Sequence, residues 1–152
     1  KGVGNYFRKH AHKNAVLGDL LVELEATSGR DLKTWSKLWL ETAGVNTLRP
    51  EFEVDAAGNF SKFEVLQSAI AEQPTIRPHR LGVGLYDLID GKLTRVEHIR
   101  VDIDGTRTEL GELIGKKRPA LLLLNDEDQT YAKVRLDDES LAVALDHQRM
   151  FI

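Results

Sequence analysis

The chain has 152 residues, 41% hydrophobic and 30% charged, with a net charge of -3. This is a globular composition with room for one ordinary domain, or for a small helical piece joined to a second, and it excludes a disordered chain and a strongly basic nucleic-acid surface. No apolar run approaches the ~20 residues needed to cross a bilayer, and the absence of cysteine excludes a disulfide framework and a thiolate metal site.

Residues 3–11 set Val3, Tyr6, Phe7, His10 and Ala11 at helical spacing. A break at Lys13-Asn14 separates them from a second apolar stripe, Leu17, Leu20, Leu21 and Leu24, which Gly29 should close as a C-terminal cap. Asp31 is the expected N-cap of a third helix, with Leu32, Trp35, Leu38, Trp39 and Thr42 on its buried face and Gly44 at its end. Three short helices with short connections should pack as a helical subdomain.

At Pro50 the apolar period falls from about 3.6 to 2. Phe52 and Val54 alternate with charged neighbours, Gly58-Asn59 marks a turn, and Phe63 and Val65 resume the alternation. Residues 71–79, broken by Pro74 and Pro78, read as a loop. Leu81, Val83 and Leu85 form one face of a strand, and Asp90-Gly91 is a two-residue hairpin signal. The return strand runs through Val96, with Ile99, Val101 and Ile103 facing in and His98, Arg100 and Asp102 facing out. Asp104-Gly105 is expected to be a second hairpin turn of the same type, leading into a strand near Thr106–Leu110. Leu121–Leu124 and then Ala132, Val134 and Leu136 bring the count to about seven strands. Asp137 and Asp138 should cap a helix through Leu141, Ala144 and Leu145 that the C-terminus truncates. The expected fold class is α+β: a short N-terminal helical segment, an antiparallel β-sandwich, and the start of a further helix. The charge divides in the same place, with 8 Lys/Arg against 5 Asp/Glu in residues 1–49 and 13 against 19 beyond. Neither end carries a targeting segment or stop signal, so a fragment is expected.

A search for chemistry returns no assignable site residue: catalytic none, cofactor-binding none, metal none. A His-Glu-x-x-His zinc motif is absent, and His10, His12, His79, His98 and His147 stand in no such context. His10 and His12 are two apart, so on a helix they diverge, and packing or capping is the favoured role. Asp102-Ile103-Asp104-Gly105 begins like a calcium loop, but Arg107 and Leu113 occupy positions that need Gly and Glu. Asn125-Asp126-Glu127-Asp128 gathers oxygens that read as a solvated turn before they read as a weak cation site. Ser28, Ser36, Ser61, Ser68 and Ser140 lack a nucleophile motif. Gly82-Val83-Gly84 lies within a strand and indicates close backbone packing or a bulge. Asp87 and Asp90 read as surface residues beside a turn, Arg8, Lys9 and Lys13 as the solvated face of a helix, and Trp35 and Trp39 as an anchor for the helices rather than a ligand platform.

Residues 4–49 present, in order, Tyr6-Phe7-Arg8-Lys9-His10, Asn14, Asp19-Leu20-Leu21, Ser28-Gly29-Arg30-Asp31-Leu32, Trp35, Trp39-Leu40 and Ala43-Gly44-Val45-Asn46-Thr47-Leu48. This succession resembles the closing helices of the catalytic domain in the aminopeptidase N family of zinc metallopeptidases. Asn46-Thr47-Leu48, Leu122-Leu123-Leu124-Asn125-Asp126 and Tyr131-Ala132-Lys133-Val134 look most like its actinobacterial branch. Ala15-Val16 departs from the pattern, since many members carry a Ser or Thr cap near there. The resemblance implies that residues 1–49 end a thermolysin-like catalytic domain. It implies that 50–136 form a β-sandwich spacer and that 137–152 begin a C-terminal helical domain. It places the zinc ligands, the Glu base, the motif for the substrate's free amine and the catalytic Tyr upstream of this segment; Tyr6 is not that Tyr.

The expected role is therefore a non-catalytic piece of a zinc aminopeptidase that removes N-terminal amino acids from peptides. Zinc belongs to the parent and no cofactor to this chain. The implied partners are the parent's remaining catalytic and C-terminal domains and its peptide substrates, with no nucleic acid and no membrane. The implied location is cytoplasmic. Detached from their neighbours, the Leu17/Leu21/Leu24 and Trp35/Trp39 faces should be sticky. The alternative is a stand-alone sandwich module that binds protein or glycan, whose mark would be an exposed cluster among Phe52, Phe60, Phe63, Tyr86 and Tyr131. A small independent enzyme would need a concave site with convergent polar groups.

Overall fold

Three helices, seven strands and a fourth helix succeed one another along residues 1–147, which are the residues described by the computed structural model. The chain divides into two units, Lys1–Ala43 and a second that begins at Gly44.

In the first unit, α1 (Gly2–His10), α2 (Leu17–Ser28) and α3 (Lys33–Leu40) match the three apolar stripes. Gly2 is buried because it lets α1 approach α2 closely: a Cβ there would meet the Glu23 carbonyl at 3.0 Å and Leu24 Cδ2 at 3.1 Å. Lys9 and Glu23 pair across the same two helices at 2.8 Å. Val16 offers no side-chain acceptor to cap α2, and the cap runs the other way, Asp19 Oδ2 accepting the Val16 N–H at 3.0 Å. Gly29 closes α2 in the left-handed conformation at φ 70°, and its N–H donates to the Glu25 carbonyl.

The third helix departs from expectation at both ends. Leu32 is its N-cap, and Asp31, one residue earlier, accepts the Lys33 N–H at 2.9 Å. The helix stops at Leu40, and Gly44 lies beyond it at φ 92°. Its expected buried face is not a closed core either, since Trp35 is 37% exposed.

In the second unit the strands are β1 (Asn46–Val54), β2 (Phe60–Ser68), β3 (His79–Ile89), β4 (Lys92–Ile103), β5 (Arg107–Glu109), β6 (Leu121–Asp126) and β7 (Ala132–Val134). They form a four-stranded sheet in the order β5-β2-β1-β7 and a three-stranded sheet in the order β4-β3-β6. One buried cluster draws on both: Leu48, Phe60, Phe63 and Val65 from the first, Leu81, Val83, Leu85, Val101, Ile103, Leu122 and Leu124 from the second. Phe52, Phe60 and Phe63 meet ring to ring at 5.1–5.7 Å within it. The fold is thus α+β with two facing sheets. Helix α4 (Asp138–Asp146) follows, capped by Asp137 accepting the Ser140 N–H at 3.1 Å. Its expected continuation lies outside the described residues.

Three strand expectations need correction. The sheet period begins at Asn46, four residues before Pro50; β7 pairs only with Asn46–Leu48, so Pro50 sits beyond its reach and costs that ladder no bond. β7 also runs parallel to β1, so the fold is antiparallel in every strand pair except this one. Asp104-Gly105 does not make a hairpin. Only its glycine has a positive φ, and the chain crosses there from β4 to β5, which pairs with β2 in the other sheet. Asp90-Gly91 is the hairpin expected, with positive φ at both residues and Ile89 opposite Lys92.

Candidate functional site

The inner face of β3 is the core row Leu81, Val83, Leu85, so by strand alternation Gly82, Gly84 and Tyr86 line the opposite face. A two-residue hairpin fixes the register that sets Arg95 of β4 across from Tyr86. On the other side, Asn125 bulges out of β6 at φ 57°, so that Gly82 faces Asp126 while Val83 faces Leu124. The bulge turns Asp126 onto the same face as Tyr86 and Arg95.

There the three side chains close on one another. Asp126, only 5% exposed, accepts a hydrogen bond from the Tyr86 hydroxyl at 2.7 Å and one from Arg95 at 2.9 Å. Arg95 also reaches Glu127 Oε1 at 3.4 Å, while His98 Nε2 and Arg100 each lie 3.8 Å from Glu127 Oε2. The glycines make this possible: a Cβ on Gly84 would stand 2.5 Å from Asp126 Oδ2, and one on Gly82 would run into the His98 ring. The Gly-x-Gly is therefore close packing, as its strand context implied.

Chemically the cluster holds its protons. Burial, together with the hydrogen bond to Asp126, pushes the Tyr86 hydroxyl up to about 12. The same carboxylate holds the Arg95 guanidinium in its charged form. A nucleophile or general base needs the opposite shift, so this arrangement is a clamp between three strands. The expectation of a solvated turn at residues 125–128 fails in part, since Asn125 and Asp126 are buried. Asn125 accepts the Thr130 N–H at 3.1 Å and donates to the Thr130 carbonyl at 2.9 Å, which folds the β6–β7 connection back on itself. Thr130 Oγ1 meets His79 Nδ1 at 2.7 Å, and burial lowers His79 from 6.5 to about 4.

The other sequence candidates disperse. His10 stacks on Tyr6 at 5.3 Å, and His147 Nδ1 meets the Val143 carbonyl at 2.9 Å. Asp102 pairs with Arg80 at 3.2 Å, and Asp104 and Thr108 close a local turn. Asp87 accepts the Ala120 N–H at 2.8 Å, well apart in role from the turn residue Asp90. Among the described residues no three His, Asp or Glu side chains converge as metal ligands do. An open depression of about 320 Å³ beside Arg49, Leu66 and Arg107 has both its guanidiniums paired, to Glu51 and to Glu64. The aromatic mark of a binding module is also missing where it was sought. The three phenylalanines pack together, Tyr86 is hydrogen-bonded, and Tyr131, 73% exposed, has no ring contact among the described residues.

Sequence reasoning passed over Arg95 and considered Tyr86 only as a member of an aromatic surface. The signal was present, because a two-residue turn at Asp90-Gly91 dictates that residues whose numbers add to 181 face each other.

No family model matches the chain. The chain is 56% identical, over 154 aligned positions and 97% of its length, to an aminopeptidase N of Streptomyces lividans. It spans 18% of that relative's length. In fold, 95% of the chain superposes on 16% of Legionella pneumophila aminopeptidase A, solved in complex with aspartic acid, with a TM-score of 0.67 at 18% identity. The family resemblance read from the sequence over nearly the whole chain is thus matched by similarity to a segment of a much longer relative.

Proposed function

We propose that this chain is a non-catalytic segment of a zinc aminopeptidase that removes N-terminal amino acids from peptides. In that reading residues 1–49 close the catalytic domain, 50–136 act as a β-sandwich spacer, and 137–152 open a C-terminal helical domain. The observation that carries the proposal is the 56% identity of 97% of this chain to a segment making up 18% of an aminopeptidase N. The chemistry of the polar cluster supports it, since Tyr86, Arg95 and Asp126 satisfy one another and point no activated group at a substrate. The zinc that the resemblance implies does not fit the described residues, which bring no ligand set together. We assign it, with its base and substrate sites, to the remainder of the parent. The remaining catalytic and C-terminal domains and the parent's peptide substrates are the proposed partners. The proposed location is the cytoplasm, in keeping with a chain that has no cysteine. No helix among the described residues is long and apolar enough to cross a membrane.

A chimera tests the proposal. Replacing the matching segment of the Streptomyces enzyme with this chain should give a soluble protein that still hydrolyses an aminoacyl reporter. A monodisperse chimera with wild-type zinc content and no turnover would contradict the spacer role.

A further inference from the structure

We propose that Arg118 is a latch that fixes the direction in which α4 leaves the two sheets. The side chain is 16% exposed and makes three polar contacts. Its guanidinium donates to Asp137 Oδ1 at 2.7 Å, pairs with Glu139 Oε2 at 2.8 Å and donates to the Pro119 carbonyl at 3.0 Å. Its guanidinium carbon also lies 5.7 Å from the centre of the Phe52 ring in β1. Asp137 Oδ1 is at the same time the N-cap of α4, accepting the Ser140 N–H. Ser140, fully buried, accepts the Leu122 N–H of β6 on its Oγ at 3.0 Å.

Hydrogen bonds thus join the first turn of α4 to Arg118 and to β6 in one sheet, and the stacking of the Arg118 guanidinium on Phe52 extends the contact to β1 in the other. An exposed ion pair contributes little to order, but a nearly buried arginine with two carboxylates and a ring leaves few alternative geometries. The Ser140 contact also occupies an N–H on the edge of β6, the kind of free edge that proteins cover. The first turn of α4 is accordingly held by side chains, and the helix direction follows from that turn. The consequence for whatever follows α4 rests on the spacer reading, whereas the latch itself does not.

Amide hydrogen exchange on the 152-residue chain separates the two. In Arg118→Gln, the amides of α4 and of Leu122 should exchange roughly tenfold faster or more, while those of Val83 and Leu85 in the core of β3 keep their protection. Unchanged exchange in α4, or equal acceleration in every strand, would overturn the latch. Should Arg118→Gln fail to fold, Asp137→Asn decides the matter, because it keeps an N-cap acceptor and removes the charge that Arg118 engages. The same selective loosening of α4 is expected there, and its absence would overturn the proposal. The chimera's activity answers the spacer question separately.

Discussion

Asp126 shows what a single buried carboxylate holds in place. Replacing it with Ala takes the acceptor from the half-buried Tyr86 hydroxyl, a cost of about 2 kcal/mol, while Arg95, 41% exposed, turns to water. Tyr86→Phe removes one hydrogen bond and should cost about 1 kcal/mol, so urea melts should place it about 1 kcal/mol above the Asp126→Ala variant in stability. Gly84→Ala should destabilise by about 1–3 kcal/mol, because its Cβ would meet Asp126 Oδ2 at 2.5 Å. His79 sets a pH dependence. Its folded value of about 4 lies below its ordinary 6.5, so the unfolded chain takes up the proton first. Its contribution is complete above pH 6.5 and is lost as pH falls toward 4, by at most about 3 kcal/mol. Melting temperature followed across that window should fall with pH in the wild type and fall less in His79→Gln. At this scale legibility was uneven. The Tyr86–Arg95 pairing follows from the turn residues Asp90-Gly91, whereas the place of Asp126 depends on the Asn125 bulge. No local signal marks that bulge, because asparagine tolerates positive φ in ordinary turns as well.

Elements were read most securely where one apolar period runs uninterrupted. Helices α1 and α2, strands β3 and β4 and the hairpin between them follow directly from spacing and from one glycine-containing turn. The return strand hides an irregularity: a bulge between Leu85 and Tyr86 leaves Val96 exposed and sends Glu97 to pair with Lys116 at 2.7 Å. Gly91, at φ 74°, admits no side chain cheaply, and Gly91→Val should cost about 1–2 kcal/mol in thermal melts without altering the fold. Asp104-Gly105 carries the same two residues yet crosses between sheets. What separates the two sites is the destination of the next strand, a long-range choice set by packing against β2. The helices of the first unit leave Val3, Phe7 and Val22 outside, Phe7 at 65% exposure. The chain should therefore self-associate as its concentration rises, and Phe7→Ser should reduce that association in sedimentation velocity while leaving the urea midpoint unchanged.

For the molecule as a whole, the two units differ in kind. The second has a core shared by two sheets, at whose margin the Asn46 and Gln67 amide nitrogens and the Arg77 guanidinium donate to backbone carbonyls. The first has apolar stripes and, in α1 and α2, only Gly2 buried. The α+β class and the seven strands were legible because period and turn chemistry are local. The start of β1 at Asn46 and the parallel β1–β7 pair were not, because Asn46–Leu48 is too short a stretch to show a period of its own. The central proposal is that this chain, 56% identical to a segment of an aminopeptidase N, leaves the peptidase chemistry to the remainder of its parent. Zinc content and hydrolysis of an aminoacyl reporter, measured on the same purified chain after exposure to zinc, test it most directly. The account predicts substoichiometric zinc and no turnover above buffer; one tightly held zinc per chain accompanied by release of the reporter would contradict it.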